Sequence, residues 1–408
     1  MNGLVKKFGR GKGLLIILAI CSFFVGLDSM LVSPLVPKIL ETTNSPMEKG
    51  GLLITAYALF YGLTAPLFGP ISDRIGRRLM IVIGMFLFSL GTFLTGISND
   101  FDTILFFRAV TGIAGAIVMP SVFALVGDNF PDRERGKAMG VVMGAMIGST
   151  VIGVPIGALI TEFIHWQMTF WLVGGIAFLI FIITWIGLPP TPTPKQMSDS
   201  LINIYLTQFK TAFTNTSVLY ALLITFLWTV GLHGMFSYIG VFYHDVYILK
   251  VGEIGIVIFI AGLASVLGNI LGGKWSDKIG EKKVIYFASF SAALFVLSFS
   301  VLTGNLPLSV FLHMLWSASI GFGQSSISTL ISQLSPRIRG TVMSLNSSVM
   351  YLGMTIASSS ASLLLVDNTF FSLGVLCAVS AILVLPAIGK VITNDSTDKP
   401  FKGTEISN

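Results

Sequence analysis

Apolar stretches of about twenty residues recur from one end of this chain to the other, each long enough to cross about 30 Å of hydrocarbon as a helix. Their approximate limits are 13–36, 50–70, 79–97, 102–126, 137–160, 166–188, 217–242, 252–272, 283–303, 306–331, 340–366 and 370–392, numbered here spans 1 to 12. Lipid offers backbone N–H and C=O groups no partner, so isolated segments of this kind must satisfy them internally, as helices do. The 408 residues are 53% hydrophobic and 11% charged, a balance outside that of soluble domains. The expected fold class is therefore an all-α membrane protein. Lys6, Lys7, Arg10 and Lys12 ahead of the first stretch imitate a secretory leader, but the stretch is too long and no small-x-small site follows, so it reads as a retained first helix.

A net charge of +6 invites a nucleic-acid reading, yet the basic residues are sorted by loop rather than gathered on one face. Of 25 Lys and Arg, all but Lys38, Lys49, Lys250 and Arg108 fall before span 1, after span 12, or in alternate loops between spans, counting Lys137, Lys283 and Lys390 at the span ends with the segments they border. The positive-inside rule then puts both termini in the cytoplasm of a multi-pass cell-membrane protein and requires an even number of crossings. No nucleic-acid partner is expected. Cys21 and Cys377 lie in apolar stretches far apart, which suggests neither a disulfide nor a metal site, and no cofactor is expected.

The sequence carries one polar hairpin twice: GPISDRIGRR at 69–78 and GKWSDKIGEK at 273–282. A shift of 204 residues lays Gly69 on Gly273, Asp73 on Asp277 and Gly76 on Gly280, and the same shift lays Arg135, Gly136 and Met139 on Arg339, Gly340 and Met343. Agreement in two separate loops at one offset points to a parallel repeat of six helices about an axis along the membrane normal. The proline-rich LPPTPTPKQMSDS at 188–200 divides the halves, and Ile202, Tyr205, Leu206, Phe209 and Phe213 beside Lys210 predict a short helix lying on the inner surface. The expected units are 1–188, a linker at 189–216, 217–393, and a polar tail at 394–408.

Few ionisable residues sit deep. Asp28 lies about 12 Å from the outer end of span 1, and Arg108 about 9 Å into span 4 from the same side. Neither has an opposite charge on its own helix, so each should face a watery cavity or the other. Two readings remain open: a structural ion pair, or a site of proton exchange at Asp28 tuned by Arg108. The same alternatives apply to His233, as a titrating group or a partner of substrate and neighbours. Tyr57, Tyr61, Trp228, Phe236, Asn269, Gln324, Asn346 and Tyr351 are the candidate cavity residues, and aromatic rings with few polar groups suit a lipophilic or cationic small molecule better than a sugar.

The doubled G-x-x-x-D-R/K-x-G-x-R/K loop after spans 2 and 8, carried by Gly69, Asp73, Arg74, Gly76, Arg77 and Arg78 and again by Asp277, resembles the signature of the major facilitator superfamily over nearly the whole chain; Glu281 stands where the first copy has Arg77. Resemblance implies two pseudo-symmetric bundles of six helices, alternating access, an Asp73 that caps the start of span 11, and a loop arginine paired with Asp128, together an inner gate. A topology anchor is the alternative role for that loop. R-A-x-x-G-x-x-G from Arg108 is similar to the family's span 4 motif. Gly148, Gly153, Pro155 and Gly157 in span 5 are similar to its antiporter motif, with Ser149, Val154 and Ala158 departing from it. The Leu27-Asp28 pair adds a likeness to the drug:proton antiporters. The expectation is a monomeric proton-coupled exporter of drugs or metabolites, with a proton-coupled uptake symporter as the alternative. No P-loop, H-E-x-x-H or nucleophile motif supports an enzyme.

Overall fold

The computed structural model describes residues 10–189, 201–334, 339–367 and 370–391. Among them all regular structure is helical, and twelve helices are long and apolar enough to cross a membrane. Span 1 is Arg10–Thr42, span 2 Gly50–Ile75, span 3 Arg77–Ile97, span 4 Phe101–Asn129, and span 6 Trp166–Gly187. Span 5 is Asp132–Gly148 and Val154–Phe163, joined by a π-helical turn at Ser149–Gly153. Span 7 is Thr216–Phe236 continued by Ile239–Tyr247, and spans 8 to 12 are Val251–Ile279, Glu281–Val301, Leu306–Leu334, Arg339–Asp367 and Phe370–Gly389.

Local chemistry sets these limits. The Asp100 carboxylate accepts the Thr103 amide at 2.9 Å and starts span 4, and the Asn215 side chain accepts from Ser217 and Val218 and starts span 7. Gly76 and Gly280, one in each copy of the repeated hairpin, take φ of 101° and 86°, a backbone conformation that a side chain would strain, and so turn the chain between spans 2 and 3 and between 8 and 9. The widened turn in span 5 stands just ahead of Pro155, which has no N–H to offer the ladder.

Sequence limits hold within a few residues at most ends but fall short by five or more at five: span 5 starts at Asp132, span 7 reaches Tyr247, and three more ends run on. Span 1 runs on through Pro34 and Pro37 to Thr42, span 2 reaches Ile75 and span 8 reaches Ile279. Asp28 accordingly lies about 21 Å from the Thr42 end, not about 12 Å, close to the middle of its helix. The helix Leu201–Thr214 occupies the segment between the halves and touches spans 2, 7 and 11.

Packing repeats with a shift of six. Span 2 packs on 4, 3 on 4, 3 on 6 and 1 on 5; span 8 packs on 10, 9 on 10, 9 on 12 and 7 on 11. Two large crossings join the bundles, span 2 on span 11 and span 5 on span 8, again related by six, and span 1 also meets the second part of span 7. Outward faces carry large apolar side chains, among them Phe93, Leu179, Trp185, Phe287 and Leu294, as lipid requires.

Candidate functional site

The deep charges are brought together. Arg108 Nη1 donates to Asp28 Oδ2 at 2.5 Å, Nη2 to the Asp28 carbonyl at 3.2 Å and Nε to the Leu53 carbonyl at 3.3 Å, while Thr92 Oγ1 donates to Asp28 Oδ1 at 3.5 Å. Spans 1, 2, 3 and 4 thus all contribute to one pair, and both charged residues are fully closed to solvent. Three donor nitrogens engaged on a rigid guanidinium fix both groups, which offsets part of the large cost of taking them out of water.

Glycines explain how the pair is framed. A Cβ on Gly112 would meet the Tyr57 carbonyl at 2.2 Å, and one on Gly115 would meet the Tyr57 hydroxyl at 2.8 Å and the Tyr61 ring at 3.1 Å. The two glycines of the span 4 motif, three apart and hence on one face, let span 2 lie against span 4 with both rings between. Arg108, a turn away, sits over the Tyr57 ring at 4.8 Å. Tyr61 in turn stacks on Tyr351 of span 11 at 3.7 Å between ring centres, and Tyr57 lies 6.0 Å from the same ring. A continuous contact therefore runs from Asp28 to the second bundle.

The other candidates are dispersed through the second bundle. Trp228 lies against Gly323, where a Cβ would meet its ring at 2.3 Å, so its indole is packed between spans 7 and 10 rather than beside the tyrosines. Asn346 Oδ1 accepts from Thr225 Oγ1 at 2.6 Å and ties span 11 to span 7. Gln324 Nε2 reaches Ser328 one turn on at 3.5 Å, and Asn269 is half-buried where span 8 crosses span 10. His233 is buried with its ring edge-on to Phe236 at 6.1 Å and its Nδ1 without a partner among the described residues. The contacts of Trp228 and Asn346 and the backbone approach at Asn269 thus lie within the second bundle, while Tyr57, Tyr61 and Tyr351 meet at the seam.

His313 is a buried polar residue that composition and motif gave no reason to single out. Its Nδ1 lies 3.2 Å from the Tyr243 hydroxyl, and its ring is stacked among Tyr243, Phe299 and Trp316. The repeat offers the missing signal. Shifting Asp28 and Arg108 by 204 residues lands on Leu232 and Leu312, each followed by a histidine, His233 and His313.

At the hairpin, Arg77 pairs with Asp128 at the end of span 4, and Arg78 Nη2 donates to the Trp185 carbonyl at 2.5 Å in the last turn of span 6. Lys282, related to Arg78 by the repeat, donates to the Val391 carbonyl at 2.5 Å beyond span 12. Arg78 thus meets a carbonyl that the end of span 6 leaves free, and Lys282 one just beyond the end of span 12. Asp277 is exposed in the last turn of span 8. The side chains of Asp73 and Arg74, and the surroundings of Gly69, lie outside the described residues.

In span 5, Gly153 lies against Leu27 and Gly157 against Leu31 of span 1, whereas Gly148, like Gly140 and Gly144, has none of the described residues within 4 Å of where a Cβ would stand. Where the antiporter motif would have a final glycine the chain has Ala158, and the close approach comes from the facing helix instead: a Cβ on Gly255 of span 8 would lie 2.7 Å from that of Ala158.

Sequence comparison places this geometry among known proteins. A profile of the Major Facilitator Superfamily matches residues 18–358 and again 248–406. The chain is 29% identical over 380 residues to the MFS-type transporter YceJ of Bacillus subtilis, covering 92% of this chain and 95% of that one. It is 25% identical over 353 residues to multidrug resistance protein 2 of the same organism, covering 85% and 88%, and 25% identical over 340 residues to the quinolone resistance protein NorA of Staphylococcus aureus, covering 81% and 84%. With twelve helices among the described residues long and apolar enough to cross a membrane, packed in two bundles related by a shift of six, and a family profile over most of its length, the chain belongs to the Major Facilitator Superfamily of membrane transporters.

Proposed function

We propose that this protein is a proton-coupled exporter of small lipophilic compounds, acting as a monomer in the cell membrane with both termini in the cytoplasm. The observation that carries the reading is the Asp28–Arg108 pair, since an acid and a base closed to solvent near the middle of the bundle are retained there at a large desolvation cost. Similarity to proteins named for multidrug and quinolone resistance supports lipophilic cargo. Proton binding at Asp28 loosens Arg108, and Arg108 bears on Tyr57, which lies against Tyr351 across the seam. Residues 1–188 and 217–393 are the bodies that rock, joined by the segment 189–216. Polar contacts between them, from Ser33–Phe236 through Thr55–Ser358 to Gly62–Ser348, lie between the Thr42 end and the middle of span 2, which supports a state closed at that end. Arg77, Asp128 and Asp73 belong to the gate at the opposite end.

Everted vesicles carrying the protein test the reading. A compound selected by growth of a pump-deficient bacterium on a toxic panel should collapse a preformed acid-inside gradient; a gradient that no transported compound disturbs would contradict proton exchange.

A further inference from the structure

Span 7 is interrupted at Ser237–Tyr238, between helices ending at Phe236 and starting at Ile239. The break turns the Tyr238 side chain toward the first bundle, where it is fully buried. Its hydroxyl accepts the Gly51 amide at 2.8 Å, donates to the Glu48 carbonyl at 2.7 Å, and lies 2.9 Å from Ser362 Oγ of span 11. The phenol's one hydrogen goes to Glu48 and one lone pair takes the Gly51 amide, while the Ser362 hydroxyl has a single hydrogen to share between Tyr238 and the Ser358 carbonyl at 3.2 Å.

One of those partners, the Gly51 amide, is a group that a helix start leaves unpaired, and the Glu48 carbonyl belongs to the 3-10 turn Met47–Lys49 just ahead of it. Gly51 is in the first turn of span 2, and Lys49 at its N-cap supplies no side-chain bond. The first bundle's helix is therefore capped by a residue of the second bundle. Glycine makes room: a Cβ on Gly51 would meet the Ser358 carbonyl at 2.4 Å and the Tyr238 ring at 3.1 Å, and one on Gly50 would meet that ring at 3.3 Å. Nearby, Ser33 Oγ donates to the Phe236 carbonyl at 2.5 Å, and a Cβ on Gly240 would meet the Ser33 carbonyl at 2.5 Å, so span 1 also seats directly on the interrupted segment.

We infer that Tyr238 is the gating residue of the Thr42 end: its hydroxyl holds the two bundles together while that end is closed, and its release from Gly51 and Glu48 is the step that opens it. No charge takes part, so the gate opens by exchanging hydroxyl and backbone partners for water, which can satisfy each of them. The inference rests on the alternating-access reading but on neither the cargo nor proton coupling.

Spin labels on Asp102→Cys and Gly304→Cys, exposed positions at this end of the two bundles, report the opening directly, because Cys21 and Cys377 are buried and take no label. Tyr238→Phe keeps the ring and removes the three polar contacts. It should raise the ratio of long to short distances about ten-fold, and Ser362→Ala should raise it by a smaller factor in the same direction. A population ratio unchanged in both variants, whether or not their melting temperatures fall, would overturn the latch and assign Tyr238 to packing alone. Should Tyr238→Phe fail to fold, the Ser362→Ala distribution decides. One invariant distance in the unsubstituted protein under all conditions would overturn both the latch and alternating access.

Discussion

Arg108 Nη1 meets Asp28 Oδ2 at 2.5 Å, and both side chains are closed to solvent. Removing one member of such a pair strands the other, at a cost of about 3–5 kcal/mol, while removing both does not. Arg108→Ala is therefore expected to melt well below the double variant Asp28→Asn/Arg108→Ala in the same detergent. Equal melting temperatures would show that the pair is not energetically coupled.

Backbone contact between spans 8 and 10 gives a sharper test of the fold. A Cβ on Gly272 would meet the Phe322 carbonyl at 2.0 Å, whereas its neighbour Gly273 has nothing within 4 Å among the described residues. Gly272→Ala is expected to destabilise by about 1–3 kcal/mol, and Gly273→Ala to leave the melting temperature within a degree or so. Melting of the two purified variants side by side checks this.

The hairpin offers a separation of stability from transport. Arg77 and Asp128 are partly exposed, a setting where an ion pair contributes about 0–1 kcal/mol. Asp128→Asn and Asp73→Asn should therefore insert and fold normally while lowering transport several-fold. Transport at the unsubstituted rate in both would leave the loop as a topology anchor only.

How much of this was readable without coordinates depends on contrast. Span count and the repeat were legible because lipid length and the Gly-Asp-Gly hairpin leave strong marks, and Gly76 and Gly280 do turn the chain with positive φ. The far end of span 1 was not legible, because Pro34 and Pro37 look like a stop, yet the helix passes through both. The meeting of Asp28 with Arg108 could be reached from the cost of an unpaired deep charge. The orientation of Trp228 could not: within an apolar span, an aromatic ring facing lipid, core or cavity has the same neighbours in sequence. Tyr238 escaped notice for the same reason, since its partners are the amide of Gly51, the carbonyl of Glu48 and the hydroxyl of Ser362. His313 was within reach, one residue beyond the repeat image of Arg108.

Asp28→Asn keeps an oxygen for Arg108 but cannot exchange a proton, so it isolates coupling from movement. The decisive measurement is transport by this variant in vesicles, with and without an imposed pH gradient. The account predicts exchange of labelled for unlabelled substrate at a near-normal rate and no uphill accumulation when the gradient is applied. Uphill accumulation at the unsubstituted level would contradict it.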